Sequence, residues 1–163
     1  MTSIFGRALA LAAAALLTIL AIPPDIRATA GDSLYGRVTA VKGANLITFD
    51  YGAGTYDVRL AGIEFPRTRT AADAATQFMT ELLLNKNARL RFEGRTPDGE
   101  MVGMIFTDDP EIGILDVGVE MVRAGMVMPE AEQELEETEY KYGEMEEAMQ
   151  QARRNRLGIW GGQ

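Results

Sequence analysis

Hydrophobic and polar residues alternate with period two from Ser33 to Gly62, and glycine-containing turns interrupt the alternation twice. Such patterning marks strands with one buried face. It predicts strands over Leu34–Ala40, Leu46–Tyr51 and Thr55–Leu60, joined by turns at Lys42-Gly43-Ala44-Asn45 and Gly52-Ala53-Gly54. Pro66 ends this phase. Alternation returns at Asn87–Glu93, and Met101–Phe106 reads as one more strand. Between them, Thr96-Pro97-Asp98-Gly99 carries the residues that preset a tight turn, so the two segments read as a hairpin.

Between the third and fourth strands the spacing becomes helical. Ala71, Ala75, Phe78, Met79, Leu82 and Leu83 share one face of a helix over Ala71–Asn85, and Thr70 with Asp73 resembles a capping box. A short helix is expected from about Leu115 to Arg123, with Gly125 where a left-handed C-terminal cap belongs. A third helix spans about Glu132–Asn155, its buried stripe formed by Leu135, Tyr142, Met145, Met149 and Ala152. Glutamates fill its first half, and Arg153, Arg154 and Arg156 close it, as the helix dipole favours. That acidic face is either simply solvated or a docking surface for a basic partner.

The order is three strands, a helix, two strands and two helices, with no internal repeat or second domain. The expected class is α+β, mainly β: a five-stranded OB-fold barrel with three helices. This fold hosts many unrelated functions, so its use has to be read from individual residues.

The N-terminus changes the picture of location. Arg7 precedes an uninterrupted Ala/Leu/Ile-rich stretch from Ala8 to Ile22, Pro23-Pro24 ends it, and Ala28-Thr29-Ala30 offers small residues for cleavage. This reads as a signal peptide over residues 1–30, too short for a membrane span, with the mature domain at 31–163. The expected location is periplasmic or secreted. No cysteine follows the apolar run, which excludes a lipoprotein.

Composition then narrows the chemistry. The 163 residues include no cysteine and no histidine, which excludes disulfides, thiolate sites, imidazole bases and the commonest transition-metal ligand. The chain carries a net charge of −8; without residues 1–30, which hold Arg7, Arg27 and Asp25, it is −9. Nucleic acid is therefore an unexpected partner unless a basic groove offsets the repulsion, and no run of lysine and arginine supplies one.

Three segments carry a family resemblance. Val58-Arg59-Leu60-Ala61-Gly62-Ile63-Glu64-Phe65-Pro66 resembles the strand-to-loop signature of the staphylococcal nuclease (thermonuclease) family. Leu115-Asp116-Val117 through Val122-Arg123-Ala124-Gly125 resembles its second helix and glycine stop. Ala152-Arg153-Arg154-Asn155-Arg156-Leu157-Gly158-Ile159-Trp160 resembles its C-terminal close. The resemblance implies the barrel fold, and a parent activity of calcium-dependent hydrolysis of DNA and RNA. That activity needs hard oxygen ligands for the metal and fixed positive charge for the phosphate.

Carried over residue by residue, little of that equipment remains. The arginine ending the third strand is matched by Arg59, and the metal-binding aspartate before the loop proline by Glu64. The catalytic glutamate after the proline falls on Arg67. The Asp-Gly-Asp metal turn corresponds to Lys42-Gly43-Ala44-Asn45, placing its carboxylate on Ala44 or Asn45. The second phosphate-binding arginine falls on Glu100. The tyrosines that flank the nucleotide find Asp98 and, at Met126-Val127-Met128-Pro129, no counterpart.

The resemblance therefore implies a relict site (Arg59, Glu64, Arg67, Glu100) in a non-catalytic binding module, with Arg59, Arg67 and Arg69 as binding candidates. Because Arg67 and Glu100 exchange the family's charges, they are expected to pair across the former cleft, with Arg59 and Glu64 completing a network. Glu64 with Asn45 would hold a metal weakly, so no cofactor is expected unless calcium serves a surviving activity. The expected partner is an envelope protein, a peptide or a small ligand. The competing expectation is a nuclease with rearranged ligands, drawing on Glu64, Asp57 or Glu100. Trp160 and the methionines Met101, Met104, Met121, Met145 and Met149 read as packing residues, and Asp108-Asp109 with Glu111 as a solvated turn.

Overall fold

The computed structural model describes residues 28–110, 113–130 and 139–161. The apolar N-terminal stretch and Leu135 lie outside them. The elements are β1 (Ser33–Gly43), β2 (Leu46–Asp50), β3 (Thr55–Leu60), β4 (Ile63–Glu64), α1 (Arg69–Leu83), β5 (Asn87–Arg95) and β6 (Met101–Asp109). There follow β7 (Gly113–Asp116), α2 (Val117–Arg123), β8 (Met128–Pro129), α3 (Glu139–Arg154) and a 3-10 turn at Gly158–Trp160.

The expected five strands close into a barrel in the order β3-β2-β1-β5-β6, and a parallel pairing of β3 with β6 completes the circle. The long strand β1 serves both neighbours: Ser33–Arg37 pair with β5, and Arg37–Gly43 with β2. An irregular register between Val38 and Ala40 lets it bend between them. The alternation read from the sequence becomes inside and outside. Val38, Ile47, Phe49, Val58, Leu90 and Ile105 are fully buried.

Helix α1 lays Ala75, Met79 and Leu83 against the barrel. Burying a side chain the size of Met79 or Leu83 is worth about 1.5–3 kcal/mol. Helix α2 buries Val117, Val119, Met121 and Val122, and α3 covers it with Met145, Ala148, Met149 and Ala152. All five methionines expected to pack are buried, and Trp160 lies half-buried against the core. No helix among the described residues is long and apolar enough to cross a membrane.

Three local expectations need correction. The cap of α1 is Thr68, not Thr70: its extended backbone leaves Oγ1 accepting the Ala71 amide at 3.3 Å, so the helix starts two residues sooner. Leu115 belongs to β7, because the Asp116 carboxylate accepts from the amides of Gly118 (2.8 Å) and Val119 (3.2 Å) and starts α2 there. The short strands β4 and β8, which pair with each other, were not visible in the alternation. Gly125 does adopt the left-handed conformation (φ 69°) expected after α2.

Candidate functional site

The end of β3 and the start of β6 lie side by side because the barrel closes there. Val58 faces Met101 and Arg59 faces Val102 in the parallel ladder, which brings Glu100, the residue before Met101, beside Arg59. The Thr96–Gly99 turn fixes Glu100 from the other side: its amide donates to Thr96 Oγ1 (3.1 Å), and its carbonyl accepts from the Thr96 amide (2.9 Å). Both Arg59 Nη2 (2.5 Å) and Nε (3.1 Å) donate to Glu100 Oε2.

Glu100 thus pairs with Arg59, and the expected Arg67–Glu100 pair does not form. The reason is topological. Arg59 shares a ladder with the segment after Glu100, whereas Arg67 lies beyond Pro66 on the loop entering α1. Arg67 is exposed and makes no ion pair among the described residues. The four-residue network reduces to one pair, in which Arg59 and Glu100 are 41% and 24% exposed.

Glu64 sits on β4 opposite Met128 and likewise has no ion-pair partner among the described residues. Asn45 is 8% exposed, and its backbone carbonyl accepts from the Leu60 amide at 2.9 Å; Ala44 is fully buried in the core. Asp57 is held by Lys42 (2.6 Å) and by Thr48 Oγ1 (3.1 Å) on the β2–β3 surface. Arg69, 95% exposed, reaches Asp73 on its own helix at 3.9 Å.

Calcium takes six to eight oxygen ligands, several of them carboxylate. Among the described residues no group of three or more acidic side chains could hold a metal. Asn45 is packed away, Glu100 is taken by Arg59, and Glu64 stands as a lone carboxylate. The residues present therefore do not fit a calcium centre of the kind the resemblance implies.

Beside Glu64 lies a cavity of about 560 Å³. The loop after β4, the first turns of α1, the α2–β8 connection and the 3-10 turn enclose it. Phe65, Met126, Met128, Ile159 and Trp160 make its walls mostly apolar, and Glu64 and Arg67 are the charged residues lining it. The only trace in the chain was the apolar run Met126-Val127-Met128 just after Gly125.

The far wall is secured by an interlock of two glycines. The Ile159 amide donates to the Gly125 carbonyl at 2.9 Å, and both Gly125 and Gly158 adopt positive φ. A Cβ on Gly125 would stand 2.4 Å from the Leu157 carbonyl oxygen. Arg153 stacks over the Trp160 ring with its Cζ 4.4 Å from the centroid.

A barrel closed by β3 and β6, a β4 loop ending in Glu-Phe-Pro and a Gly-Ile-Trp element docked on the cap of α2 together define a recognisable architecture. The profile of the staphylococcal nuclease homologue family matches residues 57–162, from within β3 through the 3-10 turn. A search among curated proteins found no match. By fold, motif order and extent of match, this chain belongs to the staphylococcal nuclease homologue family.

Proposed function

We propose that this protein is an exported binding module of the family, one whose cleft no longer hydrolyses phosphodiesters. The observation that carries the reading is the Arg59–Glu100 pair. Hydrolysis of a phosphodiester builds negative charge that fixed cations must meet. Here the arginine in position to do so already donates to a carboxylate of its own chain through two N–H groups. An incoming phosphate would have to displace Glu100 and then remain beside it.

Two further features support the reading. Arg67 stands where the family resemblance places the glutamate that handles water, and a guanidinium has N–H donors but no acceptor with which to orient or deprotonate water. Among the described residues, the cleft positions leave one free carboxylate, Glu64, for calcium. The apolar N-terminal stretch with its small-residue end supports export, and the cavity beside Glu64 falls in the size range of small-ligand sites.

Cleavage of single-stranded DNA in millimolar calcium tests the proposal. The expected result is no turnover above a buffer blank. Calcium-dependent turnover by the wild type that disappears in Glu64→Ala would overturn it in favour of a nuclease with relocated ligands.

A further inference from the structure

We infer that the cavity beside the relict cleft binds a short apolar peptide with free termini, its ammonium group at Glu64 and its carboxylate at Arg67; this rests on the binding-module reading above. The chemistry of the cavity selects that class. Its volume of about 560 Å³ suits a ligand of a few residues. Phe65 and Met128 line it and are 52% and 39% exposed, so each has apolar surface that a ligand would cover.

The charged groups are of opposite sign and close in sequence. Glu64 and Arg67 are separated by Phe65-Pro66, both line the cavity, and neither forms an ion pair with any described residue, each other included. A fatty acid would satisfy Arg67 while meeting repulsion from Glu64, and an apolar amine would do the reverse. A nucleotide would bring several negative charges to Glu64 on a chain of net charge −8. A zwitterion with an apolar body satisfies both groups at once. Trp160 forms one wall of the cavity and adds apolar ring surface for the body of such a ligand.

Trp160 is the single tryptophan of the chain, so its emission reports occupancy of the wall it forms. The experiment titrates the purified protein with leucyl-leucine, its N-acetyl form, its C-terminal amide and diglycine. Leucyl-leucine should change the emission saturably, and each of the other three should bind about tenfold more weakly, the loss of one charged contact or of the apolar one. In Glu64→Gln the free and acetylated peptides should bind alike; in Arg67→Gln the free and amidated peptides should. Both residues lie outside the buried core, and an unchanged thermal midpoint confirms that the variants fold.

Equal affinity of the wild type for the free and blocked peptides would overturn the zwitterion assignment and leave an apolar binding module standing. An emission change that follows protein concentration rather than peptide would overturn it in favour of a second copy of the chain. Silence with every peptide overturns it as well, and silence joined to calcium-dependent DNA cleavage overturns the binding-module reading too.

Discussion

Replacing Glu100 with glutamine removes the charge that occupies Arg59 while keeping nearly the same shape. The cost to stability follows from exposure. With the two side chains 41% and 24% exposed, water screens the pair, and its loss belongs in the range of surface ion pairs, up to about 1 kcal/mol. For a domain of this size that lowers the thermal midpoint by about 2–4 °C. The gain appears elsewhere. An Arg59 released from its carboxylate becomes a site for inorganic phosphate, and a ligand that binds only the folded state stabilises it by mass action. If phosphate binds the variant with Kd near 10 mM, a concentration of about 100 mM contributes about 1.4 kcal/mol and offsets the loss. The assay is thermal unfolding of wild type and Glu100→Gln in chloride and in phosphate at matched ionic strength, with Arg59→Gln as the control. Phosphate should raise the midpoint of Glu100→Gln alone. An equal shift in all three proteins would refute the idea that Glu100 blocks Arg59, and a loss above about 3 kcal/mol in chloride would place the pair in the buried class.

Three other outcomes follow from the geometry. Gly125→Ala puts a methyl group against the Leu157 carbonyl at a positive φ, and should cost about 3 kcal/mol in urea unfolding. Thr68→Ala should cost about 1 kcal/mol and Thr70→Ala almost nothing, since only the former caps α1; equal effects in chemical denaturation would contradict the assigned helix start. Asp32 accepts from the Thr29 amide and hydroxyl, which holds its carboxyl below the usual 3.8. Its contribution is therefore fully present above that ordinary value and is lost as pH falls through the lower, folded-state value. In an NMR titration of the uncleaved chain, which keeps Thr29, its amide should move in that acidic window, and in Asp32→Asn it should not.

Most of the barrel was legible because β1, β2, β3 and β5 turn alternate residues into the core, and period two survives wherever that holds; β6, buried on consecutive residues, was legible instead from the turn before it. Val38, Ile47, Phe49, Val58 and Leu90 could all be placed inside from spacing alone. Helix α1 was legible for the parallel reason that Ala75, Met79 and Leu83 repeat at helical intervals. The pairs β4–β8 and β6–β7 were not, since two to four residues are too few to establish a period and their pairing partners are supplied by distant turns. The N-cap of α1 was missed for another reason: Thr68 and Thr70 are equally good by residue type, and backbone geometry chooses between them.

At the site, residue identities were readable and their partnerships were not. Arg59, Glu64, Arg67 and Glu100 could be named in order, yet which cation meets Glu100 depends on a parallel ladder joining segments about forty residues apart. Charge exchange between positions suggested Arg67, and proximity in the barrel selected Arg59. The cavity was hidden more thoroughly, because its walls come from three stretches of chain that only the fold brings together.

The glycine interlock also sets a timetable. A ribosome delivers residues in order, so the barrel strands and α1 emerge well before Gly158, Ile159 and Trp160. Until those three arrive, the cap of α2 has no Ile159 amide to hold, and the cavity has only part of its wall. The barrel is able to assemble early, but the pocket is finished last. A protease cut or a frameshift between α3 and Gly158 would leave the strands with all their ladders while removing Ile159 and Trp160 from the wall.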